Sequence, residues 1–310
     1  MQVFKTFHDL PAAATGAVIV IGNFDGVHQG HRTLIAQARA MAQHLDAPVG
    51  VLTFEPHPRA LFRPDDPVFR ITPETVKQRQ LAAAGVDLLY NLDFTWDFAS
   101  LTPAQFIAQV LENGLKPQHI IVGADFCFGQ LRKGNTATLQ DAGLAVTAVE
   151  KIVDEDGDDV SSSAIRQELR HGNITAANAL LGWEWEIEGI VQKGDQRGRE
   201  LGYPTANVPL GDTLHPAYGV YATYVQIMED GENSPWLPAA TNIGIRPMFK
   251  LPVGQVETYI FDFNRDIYGK TLRIRPVQRL RGEAKFENLD ALIAQIGNDC
   301  AEARRILTLT

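Results

Sequence analysis

His28 and His31 stand three residues apart in Gly22-Asn23-Phe24-Asp25-Gly26-Val27-His28-Gln29-Gly30-His31, directly after the apolar run 17–21. Two imidazoles at a helix start can hydrogen-bond the non-bridging oxygens of a phosphate. They can also hold the charge that builds as an oxygen attacks in line. The glycine-rich turn offers free backbone N–H groups, and the positive end of the helix dipole favours the same anion. Chemistry of this type is positioning and electrostatics and needs no covalent nucleophile. The bland alternative, two solvated helix-start residues, is disfavoured by the strand and glycine turn that precede them.

A second candidate lies at Ser161-Ser162-Ser163-Ala164-Ile165-Arg166, where hydroxyls precede a helix and Arg166 falls in its first turn. It reads either as a second anion cradle or as an ordinary cap. Ligands of parallel-sheet folds bind at the carboxyl edge, where this helix start and the histidines are expected to meet. Phe54-Glu55-Pro56-His57-Pro58 reads as a stiffened loop at that edge, or as a plain turn. Phe54, Phe126 and Phe128 offer ring faces to a ligand or belong to the core, and His57 is either a ligand or a bystander.

Further along, Lys193-Gly194-Asp195-Gln196-Arg197-Gly198-Arg199 is a glycine-rich basic loop followed by the proline step Tyr203-Pro204-Thr205-Ala206-Asn207. Such a loop can cover a nucleotide. Thr205 and Asn207 are two apart, so an extended segment turns both side chains to one face as hard oxygen ligands for magnesium. A polar turn between strands is the competing reading.

The elements that must position these groups follow two regimes. Strand-like segments at 17–21, 49–54, 86–92, 119–122 and 144–149 alternate with helix-like ones at 33–45, 75–84 and 104–112. This predicts a parallel sheet with right-handed crossovers. The first helix begins near Gly30 and is expected to bury Leu34, Ala38, Met41 and Leu45. Thr72-Pro73 and Thr102-Pro103 each read as a capping hydroxyl before a first-turn proline, with Gly85 and Gly114 as stops. A helical region follows from 163 to about 181, and the domain boundary is placed at Gly182. Beyond it, strand-like runs at 186–191, 218–227, 256–263 and 271–277 predict an antiparallel barrel, closed by a helix over 289–307.

At 310 residues with 45% hydrophobic content, the chain is long enough for two domains with proper cores. Cys127 and Cys300 have no CxxC spacing and are expected to be free thiols in a reducing, cytoplasmic setting. No apolar stretch approaches membrane-helix length. A net charge of −9 without a basic block argues against a broad nucleic-acid surface.

Taken together, these motifs resemble the prokaryotic bifunctional riboflavin kinase and FMN adenylyltransferase (FAD synthetase) family over nearly the whole chain. The resemblance implies an α/β N-terminal Rossmann-like nucleotidyltransferase domain, 1–182, and a C-terminal antiparallel β-barrel riboflavin kinase domain, 183–310. It implies that Gly22, Asn23, Phe24, Asp25, Gly26, His28, His31, Ser162, Ser163 and Arg166 bind ATP while the FMN phosphate attacks the α-phosphorus and pyrophosphate leaves. Flavin contacts would fall on Phe54, Pro56, Pro58, Asp125, Phe126 and Phe128. In the second domain Gly202-Tyr203-Pro204-Thr205-Ala206-Asn207 resembles the kinase signature. It implies Mg2+ on Thr205 and Asn207, ATP contacts at Gly194, Arg199, Thr205 and Asn207, and Glu257 as the base for the ribityl hydroxyl. Met248 replaces the family's usual Thr in Asn242-Ile243-Gly244-Ile245-Arg246-Pro247-Met248. Arg281 either approaches flavin or phosphate or is a salt-bridged surface residue. The expected ligands are riboflavin, FMN, FAD and ATP, with no nucleic acid and no membrane. Two rivals are a nucleotidyltransferase whose barrel is only a lid, opposed by Thr205, Asn207 and Glu257, and a flavin-binding regulator without catalysis, opposed by His28, His31 and Glu257.

Overall fold

The apolar run before the histidines becomes a central strand: in the computed structural model every residue of Val18–Ile21 is buried, as a strand covered on both faces must be. The structure describes residues 1–150, 152–153, 157–194, 198, 201–231, 233–246 and 253–309. Contacts divide them into two units, Met1–Pro67 with Thr72–Ser161, and Val68–Ile71 with Ser162–Thr310.

The first unit contains β1 (Gln2–Phe4), β2 (Val18–Ile21), α1 (Gln29–Leu45), β3 (Val49–Glu55), α2 (Pro58–Phe62), α3 (Glu74–Ala83), β4 (Leu88–Asp93), α4 (Trp96–Ala99), α5 (Pro103–Phe106), β5 (His119–Gly123), β6 (Cys127–Phe128), β7 (Gly134–Asn135), α6 (Thr136–Asp141) and β8 (Val146–Val149). Its parallel sheet has the order β1-β4-β3-β2-β5-β8. The chain steps outward from β2 through β3 to β4, then returns to the other flank of β2 with β5. That reversal falls between β2 and β5, and the carboxyl ends of strands at such a switch point are where doubly wound sheets bind ligands. The turn after β2 carries Gly22 to His28, and the turn after β5 carries Asp125 and Phe126.

Helix α1 covers this sheet through Ile35, Ala38 and Ala42, which share a buried cluster with Val18, Val20 and Val51. The expected Leu34, Met41 and Leu45 flank that stripe, half-buried. Two expected helix ends are corrected. Thr102 does close a capping box with Gln105, but Thr72 makes no cap on α3, whose preceding residue is Pro73; its hydroxyl is engaged elsewhere. Gly114 is no stop either. It lies within a π-helical stretch, Ile107–Leu115, that continues α5, and Lys116 takes the left-handed cap at φ 50°. A Cβ on Gly114 would stand 2.8 Å from the Phe7 carbonyl oxygen, so glycine is required there by space.

The second unit contains α7 (Ser162–His171), α8 (Ile174–Leu181), β9 (Ile187–Ile190), β10 (Ala206–Pro209), β11 (Gly219–Ile227), β12 (Leu237–Arg246), β13 (Val253–Ile260), β14 (Thr271–Arg281) and α9 (Leu289–Leu309). The helical region expected from 163 is two helices, turned by Gly172 at φ 82°; the second ends at Gly182, left-handed at φ 74°. The strands form an antiparallel sheet in the order β10-β13-β12-β11-β14-β9. The Gln192 N–H donates to the Asn207 carbonyl at 2.8 Å, joining the two outer strands and closing the barrel. Inside, the hydroxyls of Thr223, Thr241 and Thr258 form a chain at 2.7 and 3.1 Å across three neighbouring strands. Helix α9 packs Cys300, Ala303, Ile306 and Leu307 against Ala222, Ala240 and Phe261 on the barrel wall.

Candidate active sites

At the β2 end of the first unit, His28 is the residue before α1 and His31 lies in its first turn. Their rings stack with centroids 3.7 Å apart, and the buried ring of Phe24 lies 4.9 Å from that of His31. The Nδ1 atom of His31 is buried and has no hydrogen-bond partner among the described residues, although part of the residue reaches solvent. Burial, then the adjacent His28, then the charge of Lys77 hold the His31 pKa well below the usual imidazole range. His31 is therefore neutral at pH 7, with one ring nitrogen a donor and the other an acceptor.

The turn between β2 and α1 is unusual. Phe24, Gly26 and Val27 are all left-handed, at φ 53°, 92° and 41°, and a β-branched residue in that region is a true outlier. Asp25, nearly fully buried, accepts from the Thr72 N–H at 3.0 Å. Thr53 donates its hydroxyl to the Asn23 carbonyl at 3.1 Å.

The candidate flavin residues adjoin one aromatic series. Phe54 contacts Phe94 and Phe98 at 5.4 and 5.5 Å between centroids. Phe98 meets Phe106, Phe106 meets Phe128 at 5.1 Å, and Phe126 stacks on Phe128 at 5.6 Å and 17°. Pro56 and Asp125 are exposed, while Pro58 opens α2. His57 accepts from the Arg59 N–H at 3.1 Å, so it caps α2. Lys77, which the sequence reading did not single out, is almost completely buried with its amine 3.3 Å from the Glu55 carboxylate.

Ser162 and Ser163 open α7, the first helix of the second unit. Arg166 donates from Nε to the Phe69 carbonyl at 2.8 Å and lies over the Phe69 ring.

The barrel holds a cavity of about 1090 Å³ whose wall includes Thr205, Asn207, Asn242, Glu257 and Arg281. Strand register places Glu257 between Asn207 of β10 and Asn242 of β12. The Asn207 amide oxygen accepts from Gln255 Nε2 at 2.8 Å, and its amide nitrogen donates to the Thr205 carbonyl at 3.3 Å, which fixes the oxygen's orientation. Among the described residues no group of three or more His, Cys, Asp or Glu could hold a metal. One hydroxyl and one amide oxygen do fit magnesium, which takes few protein ligands and completes its shell with phosphate and water. Gly194 lies against the Asn207 side chain, within 2.6 Å of where its Cβ would stand. Arg199 and Met248 lie outside the described residues.

Arg281 is ion-paired: its Nε and Nη2 donate to the Asp299 carboxylate at 3.0, 3.1 and 2.7 Å. It borders the cavity nonetheless. Asp299 was missed in the sequence reading; its only signal is that Gln295, four residues back on α9, donates to the same carboxylate. Both cysteines are free, and burial pushes the Cys300 thiol up to about 11. No described helix is long and apolar enough to cross a membrane.

A family described as FAD synthetase matches residues 10–164, and one described as riboflavin kinase matches residues 181–307. The chain is 39% identical to a bifunctional riboflavin kinase/FMN adenylyltransferase of Escherichia coli K12 over 100% of its own length and 99% of the relative's. It is 39% identical to the protein so described in Bacillus subtilis 168, over 98% of this chain and 97% of that one. A solved structure from Streptococcus pneumoniae, described as a macrolide-efflux protein, superposes with a TM-score of 0.86 at 34% identity and covers 98% of both chains. Two family matches in tandem, full-length relatives and a sheet-then-barrel architecture leave one conclusion: the chain belongs to the bifunctional riboflavin kinase/FMN adenylyltransferase family.

Proposed function

We propose that residues 183–310 phosphorylate riboflavin with ATP and that residues 1–182 transfer the adenylyl group of a second ATP to the FMN so formed, releasing pyrophosphate. The observation that carries the kinase half is the strand register that sets Asn207, Glu257 and Asn242 side by side on one cavity wall. Glu257 takes the proton of the ribityl 5′-hydroxyl, whose oxygen attacks the γ-phosphorus as ADP leaves. Thr205 and Asn207 hold Mg2+, which when bound neutralises phosphate charge. Gly194 and Arg199 cover the nucleotide.

In the adenylyltransferase half, the FMN phosphate attacks the α-phosphorus of ATP in line. Gly22, Asn23, Phe24 and Gly26 line the nucleotide turn, with Asp25 acting through the shape of that turn. His28 and His31 hydrogen-bond the phosphate oxygens as charge develops, and the buried, unpartnered Nδ1 of His31 supports this role. Ser162, Ser163 and Arg166 contribute phosphate contacts. The isoalloxazine ring packs on the Phe54, Phe126 and Phe128 series beside Pro56, Pro58 and Asp125, and Arg281 stands near the flavin of the kinase cavity. The two free cysteines support a reducing, cytoplasmic setting.

The test is a time course of purified protein with riboflavin and Mg-ATP, separated by chromatography. FMN is expected first, then FAD with pyrophosphate. Consumption of ATP without FMN would sink the kinase assignment, and FMN that never becomes FAD would sink the adenylyltransferase assignment.

A further inference from the structure

Thr72 carries the Thr-Pro pattern of a helix cap but does not cap. It is completely buried, and its polar atoms reach 46 and 47 residues back in the chain. The hydroxyl accepts from the Gly26 N–H at 2.8 Å and donates to Asp25 Oδ1 at 3.3 Å, while the Thr72 N–H donates to the same carboxylate oxygen at 3.0 Å. The turn so gripped is the one in which Phe24, Gly26 and Val27 are left-handed. Left-handed non-glycine residues are strained and persist only where the surroundings over-determine them. Within the turn the Val27 N–H donates to the Phe24 carbonyl at 3.2 Å, and Thr53 holds Asn23 from the sheet. Thr72 grips the turn at Asp25 and Gly26, with Val27 between that grip and His28.

We propose that Thr72 is a positioning residue of the adenylyl-transfer site, acting through Asp25 and Gly26 to hold the strained turn that delivers His28 and His31. This rests on assigning adenylyl transfer to the two histidines.

The experiment compares Thr72→Val, Thr72→Ser and His31→Ala in the full-length protein, with riboflavin phosphorylation by the same chain as the control for folding. Thr72→Val keeps the volume and the N–H bond but removes both hydroxyl bonds. Its kcat for FMN adenylylation is expected to fall roughly 10- to 100-fold, with the KM for ATP changed less than about threefold and kinase activity kept, because ångström-scale misplacement is expressed in the chemical step. Thr72→Ser restores the hydroxyl and should recover kcat to within about threefold of the parent. Parallel loss of both activities in Thr72→Val, an adenylylation kcat equal to the parent's, or no rescue by serine overturns the proposal; should the valine variant fail to fold, Thr72→Ala is read in the same way. If His31→Ala retains adenylylation, the underlying site assignment fails and takes the proposal with it. If His31→Ala is inactive and Thr72→Val is not, Thr72 alone is excluded.

Discussion

The imidazole rings of His28 and His31 stack 3.7 Å apart at 29°, one from the residue before α1 and one from its first turn. Two positive charges so close in a partly desolvated site repel, so His31, its pKa lowered by burial and by His28, meets an anion as a neutral donor. His31→Ala is expected to lower conversion of FMN to FAD on the order of 100-fold or more, leaving riboflavin phosphorylation within about twofold. Glu257→Ala should do the reverse. Separate chromatographic assays of the two steps check both, and joint loss in either folded variant would refute independent sites.

The His31 pKa is lowered in the folded chain, mainly by burial. Below the unfolded value of about 6.5 the unfolded chain binds this proton and the native chain resists it, so stability falls as pH drops through that value toward the depressed native one. Above it the contribution is fully present. Urea titrations between about pH 7.5 and 5 should show this loss, and His31→Gln should flatten it. Burial also lowers His119 and His215, so the decisive quantity is the difference between parent and variant; an unchanged slope would show that His31 is not responsible.

Gly134 faces the Phe128 ring so closely that an added Cβ would lie 2.7 to 2.8 Å from three ring carbons. An aromatic ring cannot yield at one edge, so Gly134→Ala must move Phe128 or the β6–β7 turn at a cost of about 1–3 kcal/mol. We expect the KM for FMN in adenylylation to rise severalfold while the KM for riboflavin in phosphorylation stays the same. Unchanged FMN kinetics would remove Phe128 from the flavin contacts.

Glu186 is completely buried and accepts from Arg273 Nη2 at 2.6 Å and Arg275 Nε at 3.3 Å, with the Trp236 ring 5.1 and 3.8 Å from the two guanidinium groups. Glu186→Ala leaves two arginines without their shared anion and is expected to destabilise the barrel by about 3–5 kcal/mol. Thermal unfolding with and without Mg-ATP measures it, and a variant as stable as the parent would show that the cluster contributes nothing.

The parallel sheet was legible because Val18–Ile21 and its neighbours are apolar on both faces and separated by helical periodicity. Strands β10 and β12 were not, since Pro209 in one and Pro238 and Gly244 in the other give short runs the look of turns; only cross-strand pairing makes them strands. The histidines and Thr205, Asn207 and Glu257 could be named from type and spacing. Their supports could not: Thr72 looks like a cap, Lys77 like a surface helix residue and Asp299 like a solvated one, because burial and long-range partners leave no local pattern.

Asn207 offers its side chain to the cavity and its backbone carbonyl to Gln192, in the isolated bridge that joins β9 and β10. The edge of a sheet is where backbone amides are least defended, and here that seam is also the proposed nucleotide wall. Occupancy of the kinase site should thus be readable without any chemistry, as a slower deuterium uptake at the Gln192 amide.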